Sequence, residues 1–99
     1  MRLTAAQIER IRSVVADLAG AQATVRLFGS RLDDSARGGD VDLLVEVVEP
    51  VSEPALLAAR IAGRISRLLD GRKVDVVLAA PNLKELPIHH VARREGIVL

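Results

Sequence analysis

Apolar residues recur three or four positions apart, which is helical spacing, along two segments of the chain. One stripe consists of Ile8, Ile11, Val15 and Leu18, and the other of Leu57, Ile61, Ile65 and Leu68. They predict one helix over 4–19 and a second that begins near the N-cap residue Ser52 and ends at 70–71. A third helical segment starts at 81–82, restarts at Pro87 and ends before 97.

Three other segments alternate between apolar and polar residues with the period of two that is typical of β-strands. They are 24–28, 41–48 and 73–80. One face of the second strand is apolar, whereas its other face begins with Asp40 and Asp42. Residues 97–99 are a candidate edge strand. This order of elements predicts an α/β (α+β) fold, a small mixed β-sheet with helices packed on one face.

Composition narrows the classes of function. The 99 residues are enough for one domain, expected to span 1–99, with a single core. A net charge of +1 and a single aromatic residue provide neither a basic field nor a stacking surface, so we expect no direct nucleic-acid binding. Cysteine is absent, and no apolar run reaches the length of a membrane span. We expect a cytoplasmic protein that does not bind membranes.

The candidate chemistry begins at Asp40 and Asp42. Residues two apart in a strand point to the same side, with backbones roughly 7 Å apart. Such close carboxylates repel each other unless a cation lies between them, and hard divalent ions such as Mg²⁺ prefer carboxylate oxygens. Asp75 has the same position on the strand 73–80, opposite its apolar face. An Asp-x-Asp pair alone is most often a solvated strand end, so the metal hypothesis depends on Asp75 joining the pair.

Gly29 and Ser30 directly follow the first strand. Glycine lets the backbone approach a ligand closely, and serine offers a hydroxyl and a backbone N–H group. A helical turn that began at Ser30 would also point free N–H groups at an anion. Arg31 and Arg37 carry guanidinium groups suited to phosphate. Phosphate donors on one side and carboxylates on the other indicate a site for a metal-bound nucleotide.

Gly29-Ser30 followed by Asp40-Val41-Asp42 resembles the signature of the DNA polymerase β-like nucleotidyltransferase superfamily. Within it, the chain is similar to the minimal nucleotidyltransferase (MNT) domains, such as the MntA-like antitoxins of HEPN/MNT toxin–antitoxin pairs. The resemblance covers nearly the whole chain, since Asp75 supplies the third acidic position. Gly39 departs from the pattern, because many members have serine there.

The resemblance implies the nucleotidyltransferase fold and a role for each motif residue. The implied catalytic and metal-binding residues, which would hold two Mg²⁺ ions, are Asp40, Asp42 and Asp75. The implied ligands of the ATP phosphates are Gly29, Ser30, Arg31 and Arg37. The family also implies a protein partner, a HEPN-domain toxin that receives AMP on a hydroxyl, expected to be that of a tyrosine, and is thereby silenced.

Two alternatives fit the same residues. A domain with weak or lost catalysis could neutralise its partner by occlusion alone. Nucleotidyl transfer to a small molecule or an RNA end is the other, and it requires an acceptor pocket that a partner or a second copy would complete. Homo-oligomers and hetero-oligomers are both compatible with these functions.

Overall fold

The structure is a computed structural model that describes residues 3–29 and 41–99. Its helices are α1 (Ala5–Ala19), α2 (Pro54–Leu68) and α3 (Pro87–Glu95). Its strands are β1 (Thr24–Phe28), β2 (Val41–Glu46), β3 (Val74–Ala79) and β4 (Ile97–Val98). The predicted order of elements is confirmed, and the candidate edge strand is present as β4. None of the helices in the described ranges has the length and apolar character needed to cross a bilayer.

The four strands form one mixed sheet in the order β3-β2-β1-β4. β1 pairs antiparallel with both β2 and β4. β2 pairs in parallel with β3, which requires a crossover, and α2 provides it. The mixed α/β fold predicted from the sequence is therefore confirmed.

The ends of α1 and α2 follow from local chemistry. Thr4 caps α1 in a reciprocal capping box, in which Gln7 N–H donates to Thr4 Oγ1 at 3.1 Å and Thr4 N–H donates to Gln7 Oε1 at 2.8 Å. For α2 the predicted N-cap Ser52 was wrong by one residue. The structure has Glu53 there, without a side-chain cap hydrogen bond, and Pro54 opens the helix.

The main core lies between one face of the sheet and helices α1 and α2. Its fully buried members come from both helices and from alternate positions of β2, and they are Ile11, Val41, Leu43, Val45, Ile61 and Ile65. Because every second residue of β2 enters this core, the intervening residues point to the opposite face.

Helix α3 packs on that opposite face. Ala92 lies in a second apolar cluster with Phe28, Leu44 and Ala79. The predicted packing on one face therefore holds for α1 and α2, whereas α3 lies on the other side of the sheet. The physical reason is Leu44, an apolar residue between two acidic residues of β2, which is fully buried.

Two polar side chains fix α3 to the sheet. His89 is only 3% exposed; its Nδ1 accepts a hydrogen bond from Leu86 N–H at 2.9 Å, and its Nε2 donates to the carbonyl oxygen of Leu78 at 2.8 Å. Arg93 donates from Nε to Glu46 at 3.0 Å and from Nη2 to Glu85 at 3.2 Å. These hydrogen bonds lower the pKa of the Glu85 carboxyl below its usual range and raise the pKa of the Arg93 guanidinium.

The Arg93–Glu85 pair predicts a pH dependence of stability. Because the pKa of Glu85 is lower in the folded state, its contribution is complete above the unfolded pKa of about 4.3 and is lost as the pH falls through the folded value. We expect Glu85→Gln to reduce the loss of unfolding free energy between about pH 7 and pH 3. Urea denaturation at several pH values across this range measures the loss of unfolding free energy.

Glu53→Gln is the matched control, because Glu53 is an exposed carboxylate that makes no cap hydrogen bond. An equal change of the pH dependence in the two variants would contradict the role assigned to Glu85.

Candidate active site

The start of β2 brings two of the predicted acidic residues together. Asp42 and Asp75 are register partners in the parallel β2–β3 pair, and adjacent strands lie about 4.8 Å apart. Their neighbours Leu43 and Val74 point into the core, so both carboxylates lie on the face opposite α1 and α2. Asp42 is half-buried and Asp75 is exposed. The metal hypothesis depends on Asp75 lying near the acidic pair of β2, and the pairing of β2 with β3 places it beside Asp42.

Gly29 borders this end of the site on the side of β1. Phe28, the last residue of β1, is the register partner of Asp42, and Gly29 follows with φ +79°. A Cβ atom at Gly29 would lie 2.5 Å from Oδ2 of Asp42, closer than real contacts allow. The backbone of Gly29 therefore lies directly against the carboxylate, and a larger residue would displace it.

Helix α3 leaves this corner of the sheet uncovered. Its first half is fixed to β3 by the hydrogen bond from His89 to Leu78. Gly96, the C-cap residue that follows α3, lies against β1, where an added Cβ would be 3.2 Å from the Leu27 carbonyl oxygen. The helix thus crosses the face diagonally, and its Arg93 turns toward Glu46 at the far end of β2. Among residues 3–29 and 41–99, α3 does not cover the corner that holds Asp42 and Asp75, and Asp75 is exposed there.

Two register-paired carboxylates fit a divalent cation, because both supply hard oxygen ligands from a rigid pair of strands. Within residues 3–29 and 41–99, no group of three His, Cys, Asp or Glu side chains could hold a metal ion. The third predicted ligand, Asp40, lies outside the described residues, and so do the predicted phosphate ligands Ser30, Arg31 and Arg37. Their roles stay predictions.

Lys73 is a residue at this site that the sequence analysis did not select. Its carbonyl oxygen accepts a hydrogen bond from Val41 N–H at 2.9 Å, which places Lys73 where β2 and β3 begin. It lies two residues before Asp75, so strand periodicity was the signal that could have identified it. The predicted strand 73–80 began with this lysine, whereas β3 begins one residue later, at Val74.

Fold and site together define a class: a small mixed-sheet α/β domain with a candidate metal and nucleotide site at one end of the sheet. The family model of the nucleotidyltransferase domain matches residues 8–97, so the chain belongs to this family. Among solved structures, the fold is similar to that of the toxin–antitoxin MntA-HepT, with a TM-score of 0.65 and 17% sequence identity over 96% of this chain and 70% of that chain. No curated protein matches the sequence significantly.

The geometry at Gly29 predicts that alanine is not tolerated there. The left-handed φ alone costs a non-glycine residue about 1–2 kcal/mol, and the added Cβ would also push Asp42 out of place. We expect Gly29→Ala to lower the free energy of unfolding by at least that amount in urea denaturation.

Gly63→Ala is the matched control. Gly63 lies inside α2, has nothing within 4 Å of an added Cβ, and has no positive φ. Alanine should therefore stabilise the protein there by about 0.5–1 kcal/mol. Equal effects of the two substitutions would contradict the close approach of Gly29 to Asp42.

Proposed function

We propose that this chain is a Mg²⁺-dependent nucleotidyltransferase that transfers AMP from ATP to a hydroxyl, expected to be that of a tyrosine, on a HEPN-type toxin, and so acts as an antitoxin. The single observation that carries the proposal is the register pairing of Asp42 with Asp75 beside the backbone of Gly29. Membership of the nucleotidyltransferase domain family supports nucleotidyl transfer as the type of reaction.

In the proposed reaction, the acceptor oxygen forms a bond to the α-phosphorus of ATP while the bond to the bridging oxygen of the β-phosphate breaks, and pyrophosphate leaves. Bound Mg²⁺ would supply charge stabilisation for the entering and leaving oxygens. Asp42 and Asp75 would hold it together with Asp40. Asp75 is exposed, so it can also take the proton of an acceptor hydroxyl that arrives from outside the chain.

The phosphates would extend from the carboxylates along the segment that follows β1. Gly29 offers an exposed backbone with no side chain in the way. Ser30 would add a hydroxyl and a backbone N–H, and Arg31 or Arg37 a guanidinium group that pairs with phosphate. The positive φ of Gly29 supports this direction, since it turns the chain away from the strand at that point.

The proposed acceptor is a protein because Asp75 is exposed in the described part of the chain, where a hydroxyl carried by a separate protein can approach it. We propose that residues 1–99 act as one domain in the cytoplasm, to which the partner brings its own hydroxyl. The structural neighbour MntA-HepT is a toxin–antitoxin, and this supports a toxin as the partner here.

Asp42→Asn tests the proposal. The substitution keeps the size of the side chain but removes one of the two neighbouring charges, so AMP transfer should fall by about 100-fold or more. The assay is the intact mass of a HEPN-type toxin co-expressed with this chain, which should gain one AMP with the wild type and none with the variant. Glu53→Gln, at the exposed N-cap of α2, should leave the modification unchanged.

The same experiment separates transfer from occlusion. If Asp42→Asn still binds the toxin but no longer neutralises it, transfer is the neutralising step. If Asp42→Asn neutralises the toxin as well as the wild type does, occlusion replaces the proposal. An unmodified toxin with the wild type and ATP would exclude protein AMP transfer to this partner.

A further inference from the structure

We propose that Lys73 binds the phosphates of the nucleoside triphosphate, a role that rests on the proposed function. The first observation is its place in the sheet. Val41 N–H donates to the carbonyl oxygen of Lys73, so the lysine lies at the end of β3 that adjoins the start of β2. Asp42 and Asp75 lie at this same end, where they form the second register pair of the two parallel strands.

The second observation is the direction of the neighbouring side chains. Val74 belongs to the main core on the side of α1 and α2, and is only 8% exposed. In extended backbone the residues on either side of Val74 point to the opposite face, which is the face of Asp75. Lys73 is itself exposed, so its ammonium group can extend along the solvent side of the carboxylates.

The third observation is the charge balance of this corner. Two adjacent carboxylates attract cations but repel a triphosphate, which carries several negative charges of its own. A flexible ammonium group beside them can follow the phosphates as a point charge.

Nucleotide affinity tests the assignment. Isothermal titration calorimetry of the full chain with Mg²⁺ and ATP, and separately with AMP, compares Lys73→Met with the wild type. We expect ATP affinity to fall by about tenfold, AMP affinity to fall less, and Lys73→Arg to retain most of the ATP affinity. Lys84→Met is the control: the chain has only these two lysines, and Lys84 follows the opposite end of β3.

Covalent labelling gives an independent readout. In adenosine diphosphopyridoxal a pyridoxal group takes the place of the terminal phosphate of ATP. Its aldehyde condenses with a nearby lysine amine and releases water, and borohydride reduces the imine to a stable amine. Peptide mass mapping should place the label on Lys73, with excess ATP preventing it. Labelling of Lys84, if it occurs, should not respond to ATP.

The outcomes separate this inference from the proposed function. Equal ATP affinities for Lys73→Met and Lys84→Met, with binding still lost in Asp42→Asn, would overturn the role of Lys73 and leave the transferase intact. An equal loss of ATP and AMP affinity in Lys73→Met, together with a lower melting temperature of the nucleotide-free protein, would show a structural role instead. A wild-type chain that binds no ATP with Mg²⁺ would overturn both.

Discussion

The parallel pairing of β2 with β3 is the constraint on which the site depends. Six register pairs connect the strands, and one of them joins Asp42 to Asp75. A slip by one residue would turn Asp75 into the core and Val74 toward solvent, so burial selects this register. Helix α2 carries the chain from the end of β2 to the start of β3, and its buried Ile61 and Ile65 hold that crossover against the sheet.

Among the described residues, α3 covers only part of the second face of the sheet and leaves the start of β2 and β3 uncovered. Leu44 interrupts the polar face of β2 and is buried in the apolar cluster of Ala92, which brings α3 across the sheet. Asp42 lies beyond the edge of this cover and is half-buried, while Asp75 is exposed. The same strand therefore supplies a rigid, buried middle and an accessible end, and rigidity of that kind holds ligating carboxylates in place.

The period of the apolar residues was sufficient to predict the helices and strands. The topology of the sheet decided which of the predicted site residues lie together. Both acidic positions of the described site could be read from alternation in β2 and β3, but alternation does not say which strands are neighbours or whether they run in parallel. The position of α3 was missed because Leu44 alone is a weak signal within a polar face. The approach of Gly29 to Asp42 was not predicted, since it arises from tertiary contact, and Asp40 and Ser30 lie outside the described residues.

Two acidic residues on the same face of β2, Glu46 and Asp42, have different neighbours in the sheet. Glu46 accepts hydrogen bonds from Arg26 and Arg93, so its charge is compensated within the protein and helps to hold α3. Asp42, four residues earlier, has another carboxylate as its register partner. Two carboxylates this close repel each other, and a cation between them would offset the repulsion. Glu46 therefore takes part in a structural ion pair, whereas Asp42 lies beside Asp75, where a divalent ion would relieve the repulsion.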